Sequence, residues 1–217
     1  MHVVLLGLPG AGKGTQAALL ARGAGVPHIA TGNIFRQAMA DGTALGLQVR
    51  AIVEGGGLVP DALTVAIVQE RLGRPDCAAG FVLDGFPRTV AQATALDRHL
   101  DCAGAPLERA IYLHVPEERV VARLAGRRVC PGCGATYHVL TDPPNADGTC
   151  PRCGRTVEQR ADDRQEVQAR RVEAYRRETA PLLPYYSAQG RLVRVDGEGS
   201  VAEVAGRLGA AAEGGVG

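Results

Sequence analysis

His2-Val3-Val4-Leu5-Leu6-Gly7-Leu8-Pro9-Gly10-Ala11-Gly12-Lys13-Gly14-Thr15 is the stretch that decides the fold. Its first five residues form an apolar run closed by Gly7, which predicts a strand covered on both faces, as in a parallel sheet. A glycine-rich turn follows, and Thr15–Ala24 then carries Ala, Leu and Gln at helical spacing. Strand, glycine-rich loop and helix are the setting a phosphate-binding loop needs. The glycines let backbone N–H groups turn toward phosphate oxygens with no Cβ in the way. The helix N-terminus adds the positive end of its dipole, and Lys13 adds a compact ammonium. The general motif has Ser or Thr directly after the lysine; here Gly14 intervenes and Thr15 carries the hydroxyl. Gly10, Ala11, Gly12, Lys13, Gly14 and Thr15 are therefore the candidate nucleotide-phosphate cradle.

Working outward, Phe81–Asp84, Ala110–Val115 and Leu192–Asp196 are further buried-strand candidates. Helical spacing predicts helices over Asn33–Ala40, Leu45–Glu54, Asp61–Leu72, Val90–Leu100, Glu117–Gly126, Asp163–Arg177 and Val201–Ala212. Strands alternating with helices predict an α/β fold, a doubly wound parallel sheet with helices on both faces. Two stretches interrupt the alternation. Residues 30–59 are helical and end in Gly55-Gly56-Gly57, which predicts a loose hinge. From about 127 to 156 apolar periodicity vanishes and cysteines, glycines and Pro143-Pro144 take over. The tail Gly209–Gly217 is Ala/Gly-rich and is expected to fray.

Composition narrows the function classes. The 217-residue chain has 24 Lys+Arg against 23 Asp+Glu, a net charge of +1 that argues against a general polyanion binder. Among those cations only Lys13 is a lysine; the rest are arginines. No apolar run approaches the ~18 residues of a membrane span. The N-terminus lacks a basic segment, and Pro9–Gly14 interrupts its apolar run, so a signal peptide is not expected. A cytoplasmic, reducing location follows, in which the six cysteines are not expected to pair as disulfides.

Cys130-Pro131-Gly132-Cys133 and Cys150-Pro151-Arg152-Cys153 are two C-x2-C knuckles, the spacing of a four-cysteine zinc ribbon. Four thiolates leave no open coordination position, so the metal would be structural. Disulfides or free thiols are the weaker alternative. Cys77 and Cys102 fall outside the arrangement. A zinc-ribbon nucleic-acid binder is disfavoured, because Tyr137 is the one aromatic residue interleaved with the module's arginines.

The motifs GLPGAGKGT (7–15), TGNIFR (31–36), GLVPD (57–61), GFVLDGFPRTVAQA (80–93), GRRVC (126–130), RADD (160–163) and ARRVEAY (169–175) stand in one order along the chain. In these the sequence resembles the adenylate kinase family, of the long-lid type, over about residues 1–208. The resemblance implies the reaction MgATP + AMP ⇌ 2 ADP and a monomer with the small-molecule partners ATP, AMP and ADP, and neither nucleic acid nor membrane. It implies that Arg36 and Arg88 hold the AMP phosphate. Arg123, Arg127, Arg160 and Arg171 would close over the transferring group, Arg123 and Arg127 nearer ATP and Arg160 and Arg171 also reaching AMP. With Lys13 and Arg88 these four make the catalytic set. Arginine suits that work, because its planar fork meets phosphate oxygens bidentately.

The AMP base is expected beside Thr31, Gly85 and Gln92, with Gly57, Leu58 and Val59 lining the pocket and Phe86 and Pro87 completing the AMP segment. Asn33 stands where the family commonly has Asp. On the ATP side the resemblance adds Gly199 and the Thr136-Tyr137 backbone, with His138 a minor candidate. Asp84 ends an apolar strand where α/β ligands bind; with Thr15 it is the candidate Mg2+ site, acting through water. No general base is evident, and an already anionic acceptor phosphate needs none.

The expected organisation is a core of residues 1–29, 60–125 and 164–217, an AMP-binding insert of 30–59, and a zinc-binding lid of 126–163. Two further readings stand beside this one. The first is a nucleoside monophosphate kinase using UMP or CMP as acceptor or GTP as donor. The second is a non-catalytic P-loop and zinc-ribbon binding protein.

Overall fold

The computed structural model describes residues 1–214. Its strands are β1 (His2–Leu6), β2 (His28–Ala30), β3 (Phe81–Asp84), β4 (Arg109–His114), β5 (Arg127–Val129), β6 (Thr136–His138) and β7 (Leu192–Asp196). Five of them form a parallel sheet in the order β2-β3-β1-β4-β7, while β5 and β6 pair antiparallel in a separate ribbon. β1 is central, with Leu5 in register with Asp84 on one side and Leu6 with Tyr112 on the other.

Both faces of β1 are covered, which accounts for its unalternating sequence. Val3 and Leu5 pack toward α1 (Lys13–Ala24), α6 (Glu117–Gly126) and α9 (Val201–Ala212). Val4 and Leu6 pack toward α4 (Asp61–Leu72), α5 (Val90–Cys102) and α8 (Leu182–Ala188). After β1 the chain builds β2 and β3 on one side and then crosses to β4 and β7 on the other, so the loop after β1 sits at the switch point of the sheet, where α/β folds bind ligands.

Between β2 and α4 lie α2 (Thr31–Ala40) and α3 (Ala44–Glu54). They cross closely: a Cβ on Gly46 would fall 2.0 Å from the Ala38 carbonyl oxygen. Phe35, Val49 and Val59 form a small separate core there. The ribbon of β5 and β6 carries the cysteine knuckles, and α7 (Gln165–Ala174) leads back to the core.

Several expectations are corrected. β2 was not expected, and its three residues are too few to show a period. The predicted helix Asp163–Arg177 is broken into a 3-10 turn at Ala161–Asp163, then α7, then a π turn at Tyr175–Thr179. α8 was also missed, because Pro184 lies inside it. The tail does not fray from Gly209: α9 runs to Ala212, whose methyl is buried with that of Ala211 because both pack on the core. Residues 215–217 of that tail lie outside the described residues. Among the described residues no helix is long and apolar enough to cross a membrane.

Candidate functional site

The loop between β1 and α1 is a cradle built on its glycines. Gly10 and Gly12 have φ of 91° and 97°, values that L side chains rarely adopt. A Cβ on Gly10 would also lie 2.7 Å from Leu124 Cγ, so the loop needs glycine there twice over. Lys13 folds back across the loop, its Nζ donating to the carbonyls of Gly7 at 2.7 Å and Leu8 at 2.9 Å. Burial pushes the Lys13 ammonium down to about 8; Asp84 opposes this, while Arg88, Arg171 and Arg127 add to it.

Asp84, at the C-terminal end of β3, faces the same cradle: its Oδ2 lies 3.3 Å from where a Gly14 Cβ would be. His28 Nε2 is 3.7 Å from that carboxylate. Burial pushes Asp84 upward, but His28, Lys13 and Arg88 prevail and hold it below the ordinary carboxylate range. Thr15, the residue after Gly14 and exposed, carries a hydroxyl; with a carboxylate kept anionic it offers the oxygen donors a hydrated hard cation takes.

A cleft opens between the sheet edge, α2 and α7, lined by Thr31, Arg36, Gly57, Leu58, Val59, Gly85, Arg88, Gln92 and Arg171 among others. Thr31 Oγ1 and Arg88 Nε both donate to the Gly85 carbonyl, each at 2.9 Å. Arg36 is held by Asn33, whose Oδ1 accepts from Nη2 at 2.6 Å; the amide thus does the steering that an Asp would do. Burial lowers Arg36 and brings Arg88 down to about 10, with Arg171 adding to the latter. Both remain cations at neutral pH; burial is the main cause of each shift, and a bound anion would offset that cost of keeping the charge. Phe86 is a core side chain, and neither it nor Pro87 lines the cleft; they set the chain's path between Gly85 and Arg88.

Gly55-Gly56-Gly57 is tied down rather than loose. The three N–H groups donate to the carbonyls of Ala51, Val53 and Ile52. Gly56, at φ 78°, lets α7 come close: a Cβ there would lie 2.8 Å from Val167 Cγ1 and 2.9 Å from Arg171 Cγ.

The remaining arginines are organised by two buried carboxylates. Asp163, fully buried, accepts a bidentate pair from Arg127 Nε and Nη2 and a further bond from Arg171 Nη1 at 3.0 Å. Asp162 pairs with Arg171 at 3.0 Å, and although burial pushes it up, Arg171 and Arg36 hold it below its ordinary range. Arg160 has a buried Nε without a protein partner, and burial with Arg36 and Arg127 nearby brings it down to about 9. Arg123 donates to the Ala11 and Gly197 carbonyls, both at 3.2 Å, which places it on the cradle itself. Gly199 keeps φ 108° two residues beyond Gly197.

Thr136 and Tyr137 lie on β6, beside Val129 and Arg128. Tyr137's ring is buried in the knuckle module, its hydroxyl 3.1 Å from Cys150 Sγ, so only its backbone is available to a nucleotide. His138 packs its ring on the backbone of Gly126, where a Cβ would lie 2.2 Å from Nε2.

The four knuckle sulfurs all lie within 4.8 Å of one another. Cys130 and Cys153 are 3.3 Å apart and Cys133 and Cys150 3.6 Å, unbonded yet close to the ~3.8 Å between sulfurs on a tetrahedral ion with Zn–S bonds of about 2.3 Å. Each knuckle closes with the same turn: Gly134 and Gly154 donate to the carbonyls of Cys130 and Cys150. Donor set and geometry fit one thiophilic ion.

The adenylate kinase family profile matches residues 5–191. The adenylate kinase of Moorella thermoacetica is 50% identical over 204 residues, 94% of each chain. Those of Caldanaerobacter subterraneus and Bacillus subtilis are 49% and 47% identical over the same length, covering 94% of this chain and 92% and 94% of theirs. The chain belongs to the adenylate kinase family. It is accordingly a nucleoside monophosphate kinase, a phosphotransferase acting on ATP and AMP.

Within that family setting, three residues of the site were not read as functional from sequence. Asp162 and Asp163 enter the sequence reading only within the motif RADD, and Asp61 only within GLVPD. Their signal is weak, since an acidic residue is usually solvated. What could have found them is charge balance: several arginines brought to one cleft need buried carboxylates between them.

Proposed function

We propose that the chain catalyses MgATP + AMP ⇌ 2 ADP by direct in-line transfer. The observation that carries this reading is the convergence of cations on one place: Lys13 and Arg123 on the cradle, Arg36, Arg88 and Arg171 lining the adjoining cleft, with Arg88 and Arg171 near enough to act on Lys13. ATP phosphates sit in the cradle of Gly10–Thr15, with Gly199 and the Thr136-Tyr137 backbone toward the adenine. AMP occupies the cleft, its phosphate on Arg36 and Arg88 and its base by Thr31 and Gln92. The protein supplies positioning and charge neutralisation, the two things phosphoryl transfer needs. Lys13, Arg88, Arg123, Arg127, Arg160 and Arg171 carry the charge of the equatorial oxygens. No residue need remove a proton from an acceptor phosphate that is already anionic.

Thr15 and Asp84 would hold Mg2+ through water, where the ion neutralises charge on the transferring phosphates. Cys130, Cys133, Cys150 and Cys153 would hold a structural Zn2+ that folds residues 126–163, too small a segment to build a core of its own. In this reading residues 30–59 and 126–163 are two covers on the core of 1–29, 60–125 and 164–217. Their closure excludes water, the competing acceptor. The thiolate chemistry favours the reducing cytoplasm, and the protein works as a monomer. A coupled assay across acceptors tests the reading. AMP is expected to outrun UMP, CMP and GMP with ATP as donor; a faster pyrimidine acceptor refutes the assignment.

A further inference from the structure

Gln92 is 2% exposed, and its side-chain amide is not free to rotate. Its Oε1 accepts from the Arg88 backbone N–H at 2.8 Å, and its Nε2 donates to Asp61 Oδ1 at 2.8 Å. Each contact admits one orientation only, since a backbone N–H can only donate and a carboxylate only accepts. Asp61 is itself fixed, at the first turn of α4, by accepting from Thr89 Oγ1 at 2.8 Å. An amide has two donor hydrogens and two acceptor lone pairs. With one of each consumed, Gln92 presents to the cleft one acceptor on Oε1 and one donor on Nε2, in an order it cannot reverse.

That order matches one purine. Adenine's Watson–Crick edge offers a donor at N6 beside an acceptor at N1, whereas guanine offers an acceptor at O6 beside a donor at N1. Guanine would need the amide turned over. The turned amide would set Oε1 against the Asp61 carboxylate and its NH2 against the Arg88 N–H, two buried like-to-like contacts. We infer that Asp61 is a specificity-determining positioning residue: by fixing the sense of the Gln92 amide it makes the cleft accept AMP and reject GMP. This rests on the reading of the cleft as the AMP site.

The test compares kcat/KM for AMP and GMP, with ATP as donor, in wild type and Asp61→Asn. An asparagine can donate as well as accept, so the Asp61 end no longer prefers one sense of Gln92, and only the Arg88 N–H still opposes the turned amide. The AMP:GMP ratio is expected to fall at least about tenfold, through a raised KM for AMP and a lowered one for GMP. A merely structural lesion would lower both substrates alike. If wild type forms no ADP from AMP, the cleft reading itself fails. If wild type prefers AMP and Asp61→Asn keeps the ratio within about twofold, the role of Asp61 is overturned and the cleft reading stands. Should the variant not fold, the wild-type protein decides. In nucleotide-free protein a Gln92 side-chain amide hydrogen is expected to exchange with water roughly a hundredfold more slowly than a free amide. Exchange at the free rate overturns the inference.

Discussion

Asp163→Asn probes the organisation of the site more sharply than removing any arginine. The carboxylate is fully buried, and among the described residues it is the one side chain to which Arg127 donates. Arg171 keeps Asp162 when Asp163 is neutralised, so the loss falls mainly on Arg127, which is 18% exposed and cannot recover full hydration. Removing one partner of a buried ion pair costs about 3–5 kcal/mol. Asparagine keeps the shape and one acceptor, so the low end applies, about 3 kcal/mol. At roughly 2–4 °C per kcal/mol for a chain of this size, Tm should fall by about 6–12 °C. Activity should fall further than stability implies, since a guanidinium displaced by ~1 Å from a transferring phosphoryl group costs on the order of a hundredfold. Calorimetry with a coupled ADP assay, each at a temperature where the variant is folded, reads both. A double-mutant cycle with Arg127→Ala should return a coupling of about 3 kcal/mol. A Tm within ~2 °C of wild type, or a cycle with no coupling, would refute the view that Asp163 holds Arg127 in place.

Other consequences are equally direct. Because Lys13 sits near 8, kcat/KM for ATP should fall above about pH 8 as the ammonium is lost. Stability should move the other way. Between about 8 and the unfolded value near 10.5 the unfolded chain holds more protons, so the burial penalty on Lys13 is relieved as pH rises. A flat kcat/KM profile to pH 10 would contradict this. Asp84 and Asp162 are both depressed, so their stabilisation is complete above the unfolded carboxylate value near 4 and drains away as pH falls through their lower folded values. Acid titration of stability should show it. A strong chelator should release about one metal ion per chain, expose four thiols and lower Tm; metal-free protein with four inert thiols would count against the site. Gly56→Ala should cost about 1–3 kcal/mol, because a φ of 78° and the 2.8 Å approach to Val167 both oppose a methyl group. An unchanged Tm would show that α7 yields there.

The division between what sequence reasoning reaches and what it misses follows sequence distance. β1, its loop and α1 are contiguous, and their determinants — apolar run, glycines, lysine — act within a few residues of one another. The knuckles are legible for the same reason, two thiols per turn. The cleft's partnerships are not. Gln92 meets Asp61 across 31 positions and Arg127 meets Asp163 across 36. Neither pair leaves a periodic trace, because one buried polar contact needs one residue at each end and nothing between. β2 and α8 were missed for a different reason. His28–Ala30 forms because β3 offers an edge to pair with, and Leu182–Ala188 stays helical through Pro184 because Leu182 and Tyr186 are buried in the core. In both, tertiary packing overrides local signal.

The cradle holds the chain's single ε-amine. With Lys13 near 8, about half of it is free amine at pH 8, where an ordinary lysine near 10.5 is almost wholly protonated. The other primary amine, on Met1, lies away from the cradle, beside the Ala79 carbonyl and Glu108, both 3.4 Å away. A mild acylating reagent that reaches Lys13 therefore acts where nucleotide must bind, and one that takes Met1 does not. Coupling this enzyme to a resin through amines would silence the molecules captured at Lys13. The same reagent, used in solution and counted at Lys13, would titrate vacant active sites, and ATP should hide them one for one.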